Sequence, residues 1–178
     1  MRKIIVAIFL VLTFLCSCSD LNNATKLKTD EAYKQKPDDA IKLKPDDAIA
    51  YSNRGIAYAK LGQYQRAIEE YNEAIRLKPD LAEVYSNRGI AYAKLGQHQR
   101  AIDDYNEAIR LKPDFAEAYN NKGHAYNHLG QYQHAIDDFS KAISLKPKDA
   151  TLYYNRGIAS IILASCSVPS RILTRPSA

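Results

Sequence analysis

Pro45, Pro79, Pro113 and Pro147 stand 34 residues apart, and between them the chain nearly copies itself. Residues 50–80 read AYSNRGIAYAKLGQYQRAIEEYNEAIRLKPD and residues 84–114 read VYSNRGIAYAKLGQHQRAIDDYNEAIRLKPD, identical at 27 of 31 positions. A period of this length outranks every local signal. Each copy is one small supersecondary unit that can bury its oily side only against the next copy, so the chain must stack.

Within a unit, Tyr51, Gly55, Tyr58 and Leu61 recur at helical spacing, and so do Tyr64, Ala67, Ile68, Tyr71, Ala74 and Ile75. This predicts two amphipathic helices of about 13 residues per unit. Leu61-Gly62-Gln63 separates them, and Lys78-Pro79-Asp80 ends the second, because proline cannot continue a helix. Asp80 with Glu83, and Asp114 with Glu117, have the spacing of a capping box for the following helix. Gly55 and Ala67 are small where the two helices should touch.

The series Tyr51, Arg54, Gly55, Tyr58, Ala67, Tyr71 and Pro79 resembles the tetratricopeptide repeat, whose pattern is Trp, Leu, Gly, Tyr, Ala, Phe, Pro. The resemblance implies an all-α fold, a right-handed alpha-alpha superhelix. It has three full helix pairs, at residues 48–81, 82–115 and 116–149, and a partial fourth unit at 150–165 that serves as a capping helix. Arg54, Arg88, Lys122 and Arg156 replace the family's Leu; their stems are expected to cover apolar surface while their heads reach solvent. In the fourth unit Ser160 replaces a Tyr, Ile161 to Ala164 replace the turn, and Pro169 and Pro176 exclude a second helix. Residues 166–178 are therefore expected to be a disordered tail. Ile161 and Ile162 leave an apolar surface on the cap, either an unfinished stack or a contact site.

Ahead of the repeats, Met1-Arg2-Lys3 is basic and Ile4 to Leu15 is mostly apolar. As a helix that run spans about 18 Å, well short of the ~30 Å of bilayer hydrocarbon, so residues 1–17 read as a signal peptide. Leu15-Cys16-Ser17-Cys18 resembles a bacterial lipobox, with Cys18 as the lipidated residue; an ordinary signal peptide with cysteines at apolar positions is the alternative. Residues 18–47 are a polar tether holding a degenerate repeat remnant, in which KPDDAI occurs twice. As flexible chain, the tether would reach about 25–30 Å.

In tetratricopeptide proteins the first helices line a concave surface. The resemblance implies that their second, fifth, sixth, ninth, twelfth and thirteenth residues choose the partner. The sixth is Asn throughout: Asn53, Asn87, Asn121 and Asn155. These resemble the asparagine ladder with which some relatives hold an extended chain by its main-chain groups; alternatively they only hydrogen-bond neighbouring helices. Ile56 and Ile90 give way in the third unit to a polar set, Asn120, His124, Asn127 and His128. The second positions hold Ile49, Glu83, Glu117 and Thr151 where relatives that clamp chaperone-tail carboxylates use Lys or Arg. Recognition of that kind is disfavoured, and the expected ligand sets apolar side chains on Ile56 and Ile90 and a polar or acidic group near His124 and His128.

The net charge of +5 is misleading, because residues 48–149 are nearly balanced and alternate in sign as a solvated surface does. A basic stripe for nucleic acid is lacking, and most of the 13 tyrosines fall at repeat-core positions. No phosphate loop, GxSxG turn or activated cysteine appears, so neither an enzyme, a cofactor nor a small-molecule substrate is expected. His124 and His128, four residues apart, have a zinc-compatible spacing but lack the Glu of a zinc-protease helix. The reading is a non-catalytic protein-binding scaffold, exported and lipid-anchored at a bacterial cell envelope. A metal-binding protein or enzyme centred on His124 and His128, and a cytoplasmic adaptor with an uncleaved leader, are the competing readings.

Overall fold

The structure is a computed structural model that describes residues 47–167. The expectations for the signal peptide, Cys18, the tether up to residue 46 and the tail from residue 168 lie outside the described residues. The order of elements is α1 (Ala48–Lys60), α2 (Tyr64–Leu77), α3 (Ala82–Lys94), α4 (His98–Leu111), α5 (Ala116–His128), α6 (Tyr132–Leu145) and α7 (Ala150–Ser167). No strand occurs among the described residues. Each helix packs on the next along the chain, and α1–α2, α3–α4 and α5–α6 form the three pairs.

The turn inside each pair depends on glycine. Gly62, Gly96 and Gly130 have φ of 75°, 73° and 72°, in the left-handed region that a side chain disfavours. Beyond that turn, an aromatic ring closes the pair. Tyr71 lies on Gly55, Tyr105 on Gly89 and Phe139 on Gly123, so close that a Cβ at the glycine would stand 2.5, 2.7 or 2.8 Å from the ring. These three rings are fully buried, and burial pushes the Tyr71 and Tyr105 phenols well above their ordinary range. Losing one such ring costs about 3–5 kcal/mol. The first core also joins Tyr58, Ile68 and Tyr71 to Val84 and Ala91 of the following unit, so neighbouring copies shield each other.

The cations one residue before these glycines do not reach solvent as expected. Arg54 pairs with Glu70 at 2.5 Å, Arg88 with Asp104 at 2.6 Å, and Lys122 with Asp138 at 3.1 Å, all between largely buried side chains. Arg88 also donates to Asn72 of the preceding unit (2.7 Å) and Lys122 to Asn106 (3.2 Å). Each of these two cations thus stitches a first helix to the second helices on both sides. Burial raises the Asp104 and Asp138 carboxyls above their usual range despite the cations beside them.

The expected capping boxes are also absent. α3 and α5 follow Leu81 and Phe115, without a side-chain cap. Asp80 and Asp114 lie one residue too early, while the residue directly before the helix is Asp47 in the first unit and Asp149 in the fourth. Asp47 Oδ1 accepts from the Ile49 and Ala50 amides at 2.9 and 3.4 Å, and Asp149 Oδ1 from the Thr151 amide at 3.0 Å. At the far end α7 runs past the expected Ser165 to Ser167. Ala164 occupies the place of the turn glycines, and an alanine resists the left-handed turn. No helix among the described residues is long and apolar enough to cross a membrane.

Candidate interaction groove

Successive first helices also touch, α1 with α3 and α3 with α5, which makes them the inner layer of the stack. Between α3 and α5 that layer holds a pocket of about 260 Å³. Ile90, Ala93, Tyr105 and Ala125 supply its apolar surface. Lys94, His98, Asn121, His124 and His128 supply its polar groups. The structure therefore brings together Ile90, Asn121, His124 and His128, as separate helices had to do for a shared site. Asn53 and Ile56 stand in the first unit, apart from this pocket: Asn53 is exposed, and Ile56 packs against the first core.

The sixth-position asparagines have unlike surroundings. Asn53 is exposed, Asn87 and Asn121 are half-buried, and Asn155 is buried. Asn155 Nδ2 lies 3.0 Å from Asn120 Oδ1, to which it donates, and 3.1 Å from His124 Nε2. With the amide nitrogen donating in both directions, Nε2 accepts and the His124 ring carries its proton on Nδ1. Asn120 and Asn155 thus form a cross-helix bridge that also orients His124. Asn127 is half-buried, and its Oδ1 has no hydrogen-bond partner.

Sequence reasoning missed His98. Its ring stacks on His128 with centroids 4.5 Å apart and planes 1° apart, and its Nδ1 is buried without a partner. The signal was a single substitution, since Tyr64 and Tyr132 hold the same place in the other units. His124 meets Phe139 edge-on at 5.2 Å, while the rest of its ring opens to the groove. Loss of surrounding water first, and the neighbouring His128 second, hold the His98 and His124 imidazoles below the ordinary histidine range. Parallel rings point their in-plane lone pairs side by side, not at a shared ion. Among the described residues no group of three or more His, Cys, Asp or Glu side chains is placed to hold a metal.

The chemistry on offer is recognition. An aliphatic side chain fits against Ile90 and Ala93, the Asn121 amide can bond a main-chain group, and Lys94 and His128 can meet an oxygen at the rim.

Tetratricopeptide-repeat profiles match residues 38–69, 82–115 and 116–149, and a TPR-repeat profile matches residues 57–96. Together they run from residue 38 to residue 149, taking in part of the segment read as a repeat remnant. No curated protein matches the chain. Among solved structures, the second TPR domain of human RPAP3 in complex with the HSP70 peptide SGPTIEEVD is 30% identical. That match covers 64% of this chain and 94% of that one, with a TM-score of 0.62. The first TPR of Spaghetti (RPAP3), bound to the HSP90 peptide SRMEEVD, is 27% identical over 66% of this chain and 94% of that one, with a TM-score of 0.65. A crystal structure of MamA is 29% identical over 80% of this chain and 83% of that one, with a TM-score of 0.71. With profile matches at 82–115 and 116–149 falling on two of the helix pairs that the 34-residue period marks out, and with a 30% identical solved domain covered over 94% of its length, the chain belongs to the tetratricopeptide repeat family.

Proposed function

We propose that this chain is a non-catalytic adaptor that binds a segment of a partner protein in the groove formed by α1, α3 and α5. The observation that carries the reading is the pocket between α3 and α5, where an aliphatic surface, an amide and three imidazoles converge. Similar repeats in RPAP3 hold peptides ending in EEVD, which supports a peptide as the class of ligand. The acidic tail itself is not the expected ligand, because the second positions of the inner helices hold Glu83, which pairs with Lys112 at 3.0 Å, and Glu117 where a carboxylate clamp needs cations. The fitting segment places aliphatic side chains on Ile56 and Ile90 and an acidic or polar group near Lys94, His124 and His128.

A peptide-display selection on the purified chain tests this. The expected result is a shared motif with an acidic residue close to an aliphatic one, and binding lost in Ile90→Lys and weakened in His124→Ala/His128→Ala. Enriched peptides that bind both variants as well as the wild type would sink the groove reading.

The proposed place of work is a bacterial cell envelope, with the stack tethered through a lipid on Cys18. The support is the basic start, the short apolar run and the Leu15-Cys16-Ser17-Cys18 motif. Labelled palmitate should enter the wild type in a bacterial host and not Cys18→Ser; equal labelling of both, or of neither, removes the anchor.

A further inference from the structure

Among the described residues α7 is a first helix that no second helix follows. In each earlier pair the second helix contributes two neighbouring side chains: Glu70-Tyr71, Asp104-Tyr105 and Asp138-Phe139. The acid pairs with the cation of the first helix, and the ring covers the glycine beside that cation. α7 keeps both receiving residues, Arg156 and Gly157, and has neither contribution among the described residues. A Cβ at Gly157 would meet nothing within 4 Å. Arg156 reaches back to Ser140 Oγ at 3.4 Å, as Arg88 reaches back to Asn72, but no described carboxylate pairs with it. Along the same face, Tyr154, Ile158 and Ile161 are 69%, 38% and 68% exposed. Ala164, where the other units have their turn glycine, carries α7 straight on to Ser167 in place of folding the chain back.

We propose that this face of α7 docks an amphipathic helix of another polypeptide that carries an acidic residue directly followed by Phe or Tyr. The acid pairs with Arg156, the ring seats on Gly157, and aliphatic residues one turn away cover Ile158 and Ile161. A second copy of α7 is the wrong occupant, because Ala150–Ser167 contains no Asp or Glu and would leave Arg156 unpaired. The site lies on α7, outside the helices that form the groove, so it and the groove stand or fall separately.

The probe is a labelled peptide with the sequence of residues 132–145, YQHAIDDFSKAISL, stapled through the exposed positions 133 and 137, because so short a helix is marginal alone in water. Titrated against the full chain, it is expected to bind saturably. Affinity should fall about tenfold or more with Gly157→Leu, with Phe139→Ala in the peptide, and with Asp138→Lys in the peptide. Gly157→Leu enters open space and should keep the wild-type circular dichroism, with a melting temperature at or above that of the wild type; Arg156→Gln, which should also weaken binding, is the second variant. No saturable binding, or equal affinity for Gly157→Leu, overturns the proposal. So does binding abolished by Ile90→Lys but not by Gly157→Leu, which places the peptide in the groove. Dimerisation abolished by Ile161→Ser and undisturbed by peptide makes a second copy the occupant. Binding seen only after Ile172→Ser/Leu173→Ser makes the chain's own residues 168–178 the occupant.

Discussion

His98 at the start of α4 stacks face to face on His128 at the end of α5, with the ring planes 1° apart. Lys94 and His124 line the same pocket, so protonation of the stack would set several positive charges together. Burial and His128 already hold His98 and His124 below the ordinary range, so the unfolded chain, titrating near 6.5, takes up protons before the folded chain does. Stability is therefore full above about pH 7, falls as the pH drops through about 6.5, and levels off only below the folded-state values. Denaturant midpoints between pH 7.5 and 5 should show this slope, and His98→Tyr/His124→Ile should flatten it. Comparing the two proteins isolates the imidazoles from Asp104 and Asp138, whose raised carboxyl values act in the opposite direction at lower pH.

Arg88 grips both oxygens of Asp104, at 2.9 and 2.6 Å, whereas Lys122 reaches only Oδ1 of Asp138 and leaves Oδ2 buried without a partner. A guanidinium fork matches a carboxylate and an ammonium does not. Lys122→Arg should therefore stabilise the chain by about 1 kcal/mol, raising Tm by a few degrees. Asp104→Ala should cost about 2–4 kcal/mol by stranding Arg88, and Arg88→Met/Asp104→Leu should recover most of that loss. Thermal melts of the four proteins check the order.

How much of this was legible before the structure depends on how far each feature reaches along the chain. The period, the helix pairs and the turns at Gly62, Gly96 and Gly130 follow from local patterns, and all lie where expected. The pairing of Arg54 with Glu70 spans 16 residues and depends on the rotation of two helices about their axes, which periodicity does not specify. The cap failed by a single residue: Asp80 and Asp47 look alike in sequence, but only Asp47 directly precedes its helix. That Ile90, Asn121, His124 and His128 share one face was legible from their places on the first helices. His98 was not, because it belongs to a second helix and joins the pocket only where α4 begins beside the end of α5.

Asn155 is a structural amide, whereas Asn87 and Asn121 are the ones proposed to hold a ligand. Its Nδ2 bridges Asn120 and His124 across α5 and α7, while Asn87 and Asn121 remain half-buried in the inner layer. Asn155→Ala should cost about 1–2 kcal/mol, since it strands two partners. Asn87→Ala and Asn121→Ala should change stability by about 0.5 kcal/mol or less and weaken a groove-binding peptide. Paired melting and binding measurements decide it; Asn121→Ala that binds as the wild type does removes the ladder.

Gly89 and Gly157 occupy the same place in their units, and the structure assigns their substitutions opposite signs. A Cβ at Gly89 would stand 2.7 Å from Tyr105 Cε1, the middle of a ring locked in the core, so Gly89→Ala must push α3 and α4 apart. Overpacking of this kind costs about 1–3 kcal/mol. At Gly157 the same methyl meets open space, so only the backbone term remains, and Gly157→Ala should gain about 0.5–1 kcal/mol from helix propensity. Thermal unfolding should therefore place Gly89→Ala below the wild type and Gly157→Ala above it. A melting temperature for Gly157→Ala below that of the wild type would mean that the glycine's surface is already covered in solution, and the open face of α7 would not exist.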